Sequence, residues 1–207
     1  MFLQTCIIGY MLDSSTITLT ARDGITYAVA TGALCLDFCY TGGRGDRAHW
    51  ETLHAPADLA RWARASRLRE AGAVPSLIVD ASAFADAVDL REVVWRTANA
   101  IADGHAVNRR DAAHLSRWAA VPDIAPGLSP TGPTWARPVT GAQLVSTLAR
   151  DAIDVLVRRH QLLRRCAADD CQLLFLDTSR PGTRRWCAMA RCGNRTKVRQ
   201  FRERQGH

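Results

Sequence analysis

Four of the seven cysteines fall within the last fifty residues: Cys166, Cys171, Cys187 and Cys192. They form two pairs, each with four residues between the cysteines, and fifteen residues separate the pairs. This spacing limits what the segment can fold into. Its apolar content is Leu173, Leu174, Phe175, Leu176 and Trp186, and a core that small needs a staple. Zinc takes four tetrahedral thiolates, and two short Cys pairs joined by a loop supply them with little chain. Two disulfides would staple the same loops. The apolar start "MFLQTCIIGYML" has no basic residue ahead of it and no small-residue cleavage pattern, so it makes a poor secretory signal. A reducing cytosol is therefore the expected compartment, where clustered cysteines bind metal more often than they cross-link. The reading is one Zn2+ per chain on these four ligands.

Charge separates along the chain in the same way. Residues 158–207 carry 13 Arg and Lys against 4 Asp and Glu, and residues 1–157 carry 14 against 16. A basic end on a nearly neutral body suggests a nucleic-acid partner. No run of apolar residues is long enough to span a membrane, so a membrane is not expected as a partner.

The body reads as mainly helical. Residues 15–30 are β-rich, with Asp23-Gly24 as a hairpin turn. "TGALCLDFCYTGGRGD" (31–46) carries a short buried helix into a glycine-rich loop that lacks the Lys-Ser/Thr of a nucleotide loop. Amphipathic helices are expected in "APADLARWARASRL" (55–68), over 82–103 and over 108–121 with Asn108 as N-cap. Residues 122–138 read as a Pro/Gly-rich loop. A last helix over 140–163, with Leu144, Leu148, Ile153, Leu156 and Val157 inward, leads directly to Cys166. The expected fold class is α+β and mainly helical: an N-terminal helical domain with a small β-hairpin or sheet over 1–160, then a C-terminal four-cysteine zinc-finger module over 161–207. Residues 1–14 read as a disordered leader, an extra strand or an early start codon.

Around the cysteines lie the groups expected to meet DNA: Arg180, Arg184, Arg185, Arg191, Asn194, Arg195, Lys197, Arg199 and Arg202. Arginine suits bidentate contacts to phosphate or guanine edges. From Gly193 the chain looks helical, with Asn194 as cap and Arg195, Arg199 and Arg202 along one face. A finger that only steadies the fold, or contacts another protein, is the alternative.

The stretch from Cys166 to Arg204 resembles the CGNR zinc finger, named for the tetrapeptide that Cys192-Gly193-Asn194-Arg195 matches here. Phe175, Asp177, Ser179-Arg180, Arg184-Arg185-Trp186-Cys187, Met189 and Lys197 share in the match. The resemblance implies that the four cysteines hold zinc and that the module binds DNA. Upstream, "TGALCLDFCYT" is similar to the Gly-x-Leu-x-Leu-Asp-Phe-x-Asn-Thr signature of the ABATE domain, a family of stress-induced transcription regulators. Tyr40 stands where that family has Asn. Asp37, Tyr40 and Arg96 are the candidate contacts for a small-molecule ligand.

The remaining features read as structural. Cys35 and Cys39 are taken as buried thiols, and Trp62, Trp95 and Trp118 as core. His160, six residues before Cys166, is a weak substitute ligand. No catalytic constellation stands out, so no enzyme is expected. The overall expectation is a cytoplasmic, nucleoid-associated transcription regulator of bacterial type. DNA would be its partner, a homodimer would span two half-sites, and a ligand would be sensed by the body. A ligand-binding or enzymatic body with a purely structural finger is the competing reading, as is a protein-interaction module.

Overall fold

The computed structural model describes residues 16–72, 74 and 77–206; the leader read over 1–14 lies outside them. The six residues of α1 (Leu34–Cys39) are all buried, so this helix has no solvated face. It sits on two longer helices, α3 (Ala81–Ala102) and α5 (Gly141–Arg158). Helices α2 (Pro56–Ala65) and α4 (Arg109–Ala119) pack around them. The caps follow from sequence: Asp80 accepts from the Ala83 amide at 2.7 Å and Asn108 from Arg110 at 2.8 Å. Thr140 and Gln143 form a capping box at the start of α5.

Among the described residues the strands form four two-stranded sheets. β1 (Ile17–Thr20) and β2 (Thr26–Val29) make the expected hairpin. β3 (Leu77–Ile78) pairs in parallel with β6 (Val139–Thr140). β4 (Pro126–Ser129) and β5 (Gly132–Trp135) form a hairpin inside the stretch read as loop. An isolated pair tolerates its prolines because each strand is an edge. Buried Trp135 anchors it, donating its indole N–H to the carbonyls of Leu68 and Gly72.

The last body helix is shorter than expected. α5 ends at Arg158, and after a tight turn the chain forms β7 (Leu163–Arg165), antiparallel to β8 (Leu174–Leu176). The direct helical lead into Cys166 is therefore replaced by a strand, because Leu163 must pair opposite Leu176. Val157, expected inward, is 65% exposed, whereas Leu144, Leu148 and Leu156 are buried as expected. Trp118 is buried, but Trp62 and Trp95 are only partly so.

Two apolar clusters run across the fold. The larger joins α1–α5 to Leu163, Leu174 and Leu176. The smaller joins Leu19, Val29 and Tyr40 to Cys166, Leu173, Phe175, Cys187 and Cys192. Each cluster therefore mixes residues from both ends of the chain. Gly32 makes one of these junctions: at φ +81° it approaches β8, and a Cβ there would lie 2.9 Å from the Leu176 Cβ. The Leu176 amide donates to the Thr31 carbonyl next to it.

Buried arginines bind the body together. Arg47 donates to the carbonyls of Cys39 and Gly42, grips Glu92 with both carboxylate oxygens, and stacks over Trp95 at 4.5 Å. Gly43 lets it in, since a Cβ there would stand 2.5 Å from the guanidinium. Arg91 clasps Glu51 at 2.6 and 2.9 Å, and Glu51 also accepts from the Gly43 and Leu53 amides. Burial raises the Glu51 carboxyl, but the Arg91 and amide hydrogen bonds outweigh it and hold the group below its ordinary 4.5. Its contribution is therefore complete above that value and is lost as pH falls through the lowered one. Glu51→Gln should cost about 1–3 kcal/mol at neutral pH. In urea melts the gap to the parent should narrow below about pH 4.5, and a constant gap would contradict this assignment.

Candidate metal centre and its basic surroundings

The first cysteine pair is delivered by the β7–β8 ladder. Just past β7, the Cys166 amide donates to the Leu173 carbonyl at 2.8 Å, and the loop between closes with Cys171 N–H on Ala168. The second pair arrives on a wide turn. The Cys187 amide points at the Cys166 sulfur (3.4 Å), and Gly193 N–H bonds Ala188 across Met189–Gly193. This five-residue turn runs straight into α6 (Asn194–Arg204). Asn194 is consequently already helical and does not cap; its side chain donates back to the Ala190 carbonyl.

All four sulfurs lie within 4.8 Å of one another, with Cys171–Cys187 at 3.8 Å and Cys187–Cys192 at 3.6 Å. A tetrahedron with zinc–sulfur bonds of about 2.3 Å has edges of about 3.8 Å, so the donor set and spacing fit one Zn2+. Four thiolates this close repel one another, and a divalent ion stabilises all of them at once. His160 is outside the cluster; its Nδ1 meets the Val157 carbonyl. Cys35 and Cys39 are buried in α1, where burial pushes the Cys39 thiol up to about 12 and Cys35 well above the usual range. Neither is a reactive thiol.

The basic residues around this centre divide into two groups. Arg184 is engaged inside: its guanidinium donates to the carbonyls of Ala30, Trp186 and Cys187 and lies 4.0 Å over Phe175. Arg191 clamps Asp23 of the hairpin at 2.9 Å and covers Tyr27. Arg195 forks onto Asp170 at 2.7 and 2.9 Å and reaches the Cys192 sulfur at 3.7 Å. Arg199 pairs with Asp169 at 2.8 Å. Two of the three arginines of the predicted face of α6, Arg195 and Arg199, thus meet Asp170 and Asp169, which lie in the loop between Cys166 and Cys171. Arg180, Arg185, Lys197 and Arg202 are exposed and have no ion pair among the described residues. Beside them on α6, Val198 and Phe201 are exposed too.

Asp37, Tyr40 and Arg96 point to three different places. Asp37 is bound to Arg67 at 2.6 Å and accepts from the Thr31 hydroxyl. The Tyr40 hydroxyl accepts from the Leu174 amide at 2.6 Å and donates to its carbonyl at 2.9 Å. Arg96 grips Asp111. Sequence reasoning missed Arg47, Arg67 and Arg91. The available signal was Asp37 alone in an otherwise apolar helix, since a buried carboxylate needs a cation.

A helical body sharing its core with a four-cysteine metal module defines a zinc-finger protein. The ABATE family, described as "Putative stress-induced transcription regulator", matches residues 32–159, and the CGNR zinc finger matches 163–205, in that order. The chain belongs to the ABATE family and carries a CGNR zinc finger behind that domain. None of the curated proteins compared with it matches. No helix among the described residues is long and apolar enough to cross a membrane.

Proposed function

We propose that this chain is a DNA-binding transcription regulator without enzymatic activity, acting at the bacterial nucleoid through its finger, with the division between body and finger near residue 160. The observation carrying this reading is the sorting of the cations. Arg184 and Arg191 bond to Ala30 and Asp23 of the body, and Arg195 and Arg199 pair with Asp170 and Asp169, while Arg180, Arg185, Lys197 and Arg202 are exposed and without ion pairs among the described residues. Exposed, unneutralised cations are what phosphate contacts require. On α6, exposed Val198 and Phe201 lie beside Lys197, an arrangement suited to thymine methyl groups in a major groove. One short helix reads few base pairs, so two copies on two half-sites would supply the rest of the specificity.

Affinity for duplex DNA should fall steeply with salt. The combined variant Arg185→Ala/Lys197→Ala/Arg202→Ala should flatten the log K against log salt slope by about 2 to 3, leaving the melting temperature unchanged. An unaltered slope would sink the reading. The second reading, a finger that only completes the fold, is favoured by the internal engagement of Arg184 and Arg191. It predicts no measurable binding to duplex DNA at low salt.

A further inference from the structure

A cleft of 680 Å3 opens where the hairpin, the turn at Gly45–Trp50, α3 and the metal module meet. Its size is that of a small-molecule site. Four aromatic rings line it, Tyr27 from β2, His49 and Trp50 from the turn and Trp95 from α3. Beneath them lies Tyr40, with its ring edge-on to Trp50 at 5.9 Å and to Trp95 at 6.0 Å, and its hydroxyl locked onto Leu174. The residue that departs from the ABATE signature therefore supports two walls of this cleft and ties them to β8. An asparagine would be too short to brace both indoles.

The charge of the lining is uneven. Its three aspartates are each paired with one of its own arginines: Asp23 with Arg191, Asp46 with Arg22, and Asp170 with Arg195. Arg47 and Arg165 meet Glu92 and Asp103, which are not part of the lining. Arg44 is exposed, has no ion pair among the described residues, and also borders a neighbouring hollow that Asp89 and Glu92 line. Aromatic walls with one unpaired cation, Arg44, select a planar ring bearing a single anionic group, the ring against the aromatic walls and the anion on that guanidinium.

We infer that this cleft binds a small aromatic anion, which would touch both the body and the metal module. A ligand seated there contacts the walls formed by Cys171, Leu173 and Cys192 as well as α3. It would therefore stabilise one placement of the finger on the body. Its influence on DNA rests on the function proposed above, but the binding itself does not.

Calorimetric titration of the zinc-loaded full chain, without DNA, tests this directly. Two probes separate the sources of the shared chemistry: AMP for nucleoside phosphates and 2-naphthoate for aromatic carboxylates. Saturable binding of either one supports the site and names its class. Arg44→Ala, a substitution at an exposed position, should weaken that binding about tenfold or more, and neutral 2-naphthol should bind at least as poorly. The inference is overturned if neither anion binds at millimolar concentration. It is equally overturned if Arg44→Ala binds like the parent, or if 2-naphthol matches the anions.

Discussion

Replacing Cys187 with serine should abolish zinc binding and unfold the C-terminal module, the largest single effect expected in this chain. Cys187 is buried and stands 3.8 Å from the Cys171 sulfur and 3.6 Å from that of Cys192. A hydroxyl there leaves three thiolates and an unfilled corner of the tetrahedron. Structural zinc contributes about 10–16 kcal/mol in finger peptides, comparable to the whole stability of a typical domain, about 5–15 kcal/mol. The module's own apolar content cannot make up such a loss. Because Leu163, Leu174 and Leu176 belong to the body's main cluster, the damage should spread. Tyr40 would lose its partner Leu174, and the β1–β2 hairpin would lose the surface under Leu19 and Val29. Metal analysis of the reduced variant should give close to none, against one zinc per parent chain. Hydrogen exchange should speed up over 163–204 and over the hairpin, and a strong chelator should reproduce the pattern in the parent. A Cys187→Ser protein that keeps stoichiometric zinc and slow exchange would refute the four-thiolate centre.

The metal centre is legible in the sequence because its information is local. Ligand spacing, the small apolar complement and the basic flank all lie within forty residues, and metal geometry leaves few ways to satisfy them. The uses of the arginines are not legible, for the opposite reason. The chain has 26 arginines and a single lysine, so composition marks no arginine as special. What distinguishes Arg184 from Arg185 is the carbonyls of Ala30, Trp186 and Cys187, one of them 154 residues away. The arginine stripe on α6 is visible as a periodicity. Its direction depends on Asp169 and Asp170, which reach it only once the first cysteine loop has closed. Tyr40 shows a third kind of limit. Its departure from the family signature is visible, but its role depends on Trp50, Trp95 and Leu174, contributed by three separate elements.

The second large effect concerns the body. Arg67→Met should destabilise the protein by about 3–5 kcal/mol, the cost of leaving a buried charge without its partner. Asp37 is 4% exposed and Arg67 3%, and the guanidinium Nε donates to the carboxylate at 2.6 Å. The Thr31 hydroxyl, which Arg67 also touches at 3.3 Å, donates to the other oxygen. Burial pushes the Asp37 carboxyl above its ordinary range, and the Arg67 hydrogen bond opposes that rise. Removing Arg67 removes the opposition, so the carboxyl should move further up. The sign of the pH dependence follows: an acid whose folded value is raised favours the folded state when protonated. The deficit of Arg67→Met is therefore present above the raised value and shrinks as pH falls through it. A mere cavity would leave a deficit that does not titrate. Urea melts of parent and variant from about pH 8 to about pH 4 distinguish the two, and a parallel pair of curves would show that the charge of Asp37 is not the cause. The double variant Asp37→Asn/Arg67→Met should recover much of the loss at neutral pH, because the unpaired charge is gone while the amide can still accept from Thr31. Recovery in that variant, together with unchanged zinc content, would assign this ion pair to holding α1 in the body. The signature aspartate would then be a structural residue of the body and not a ligand contact.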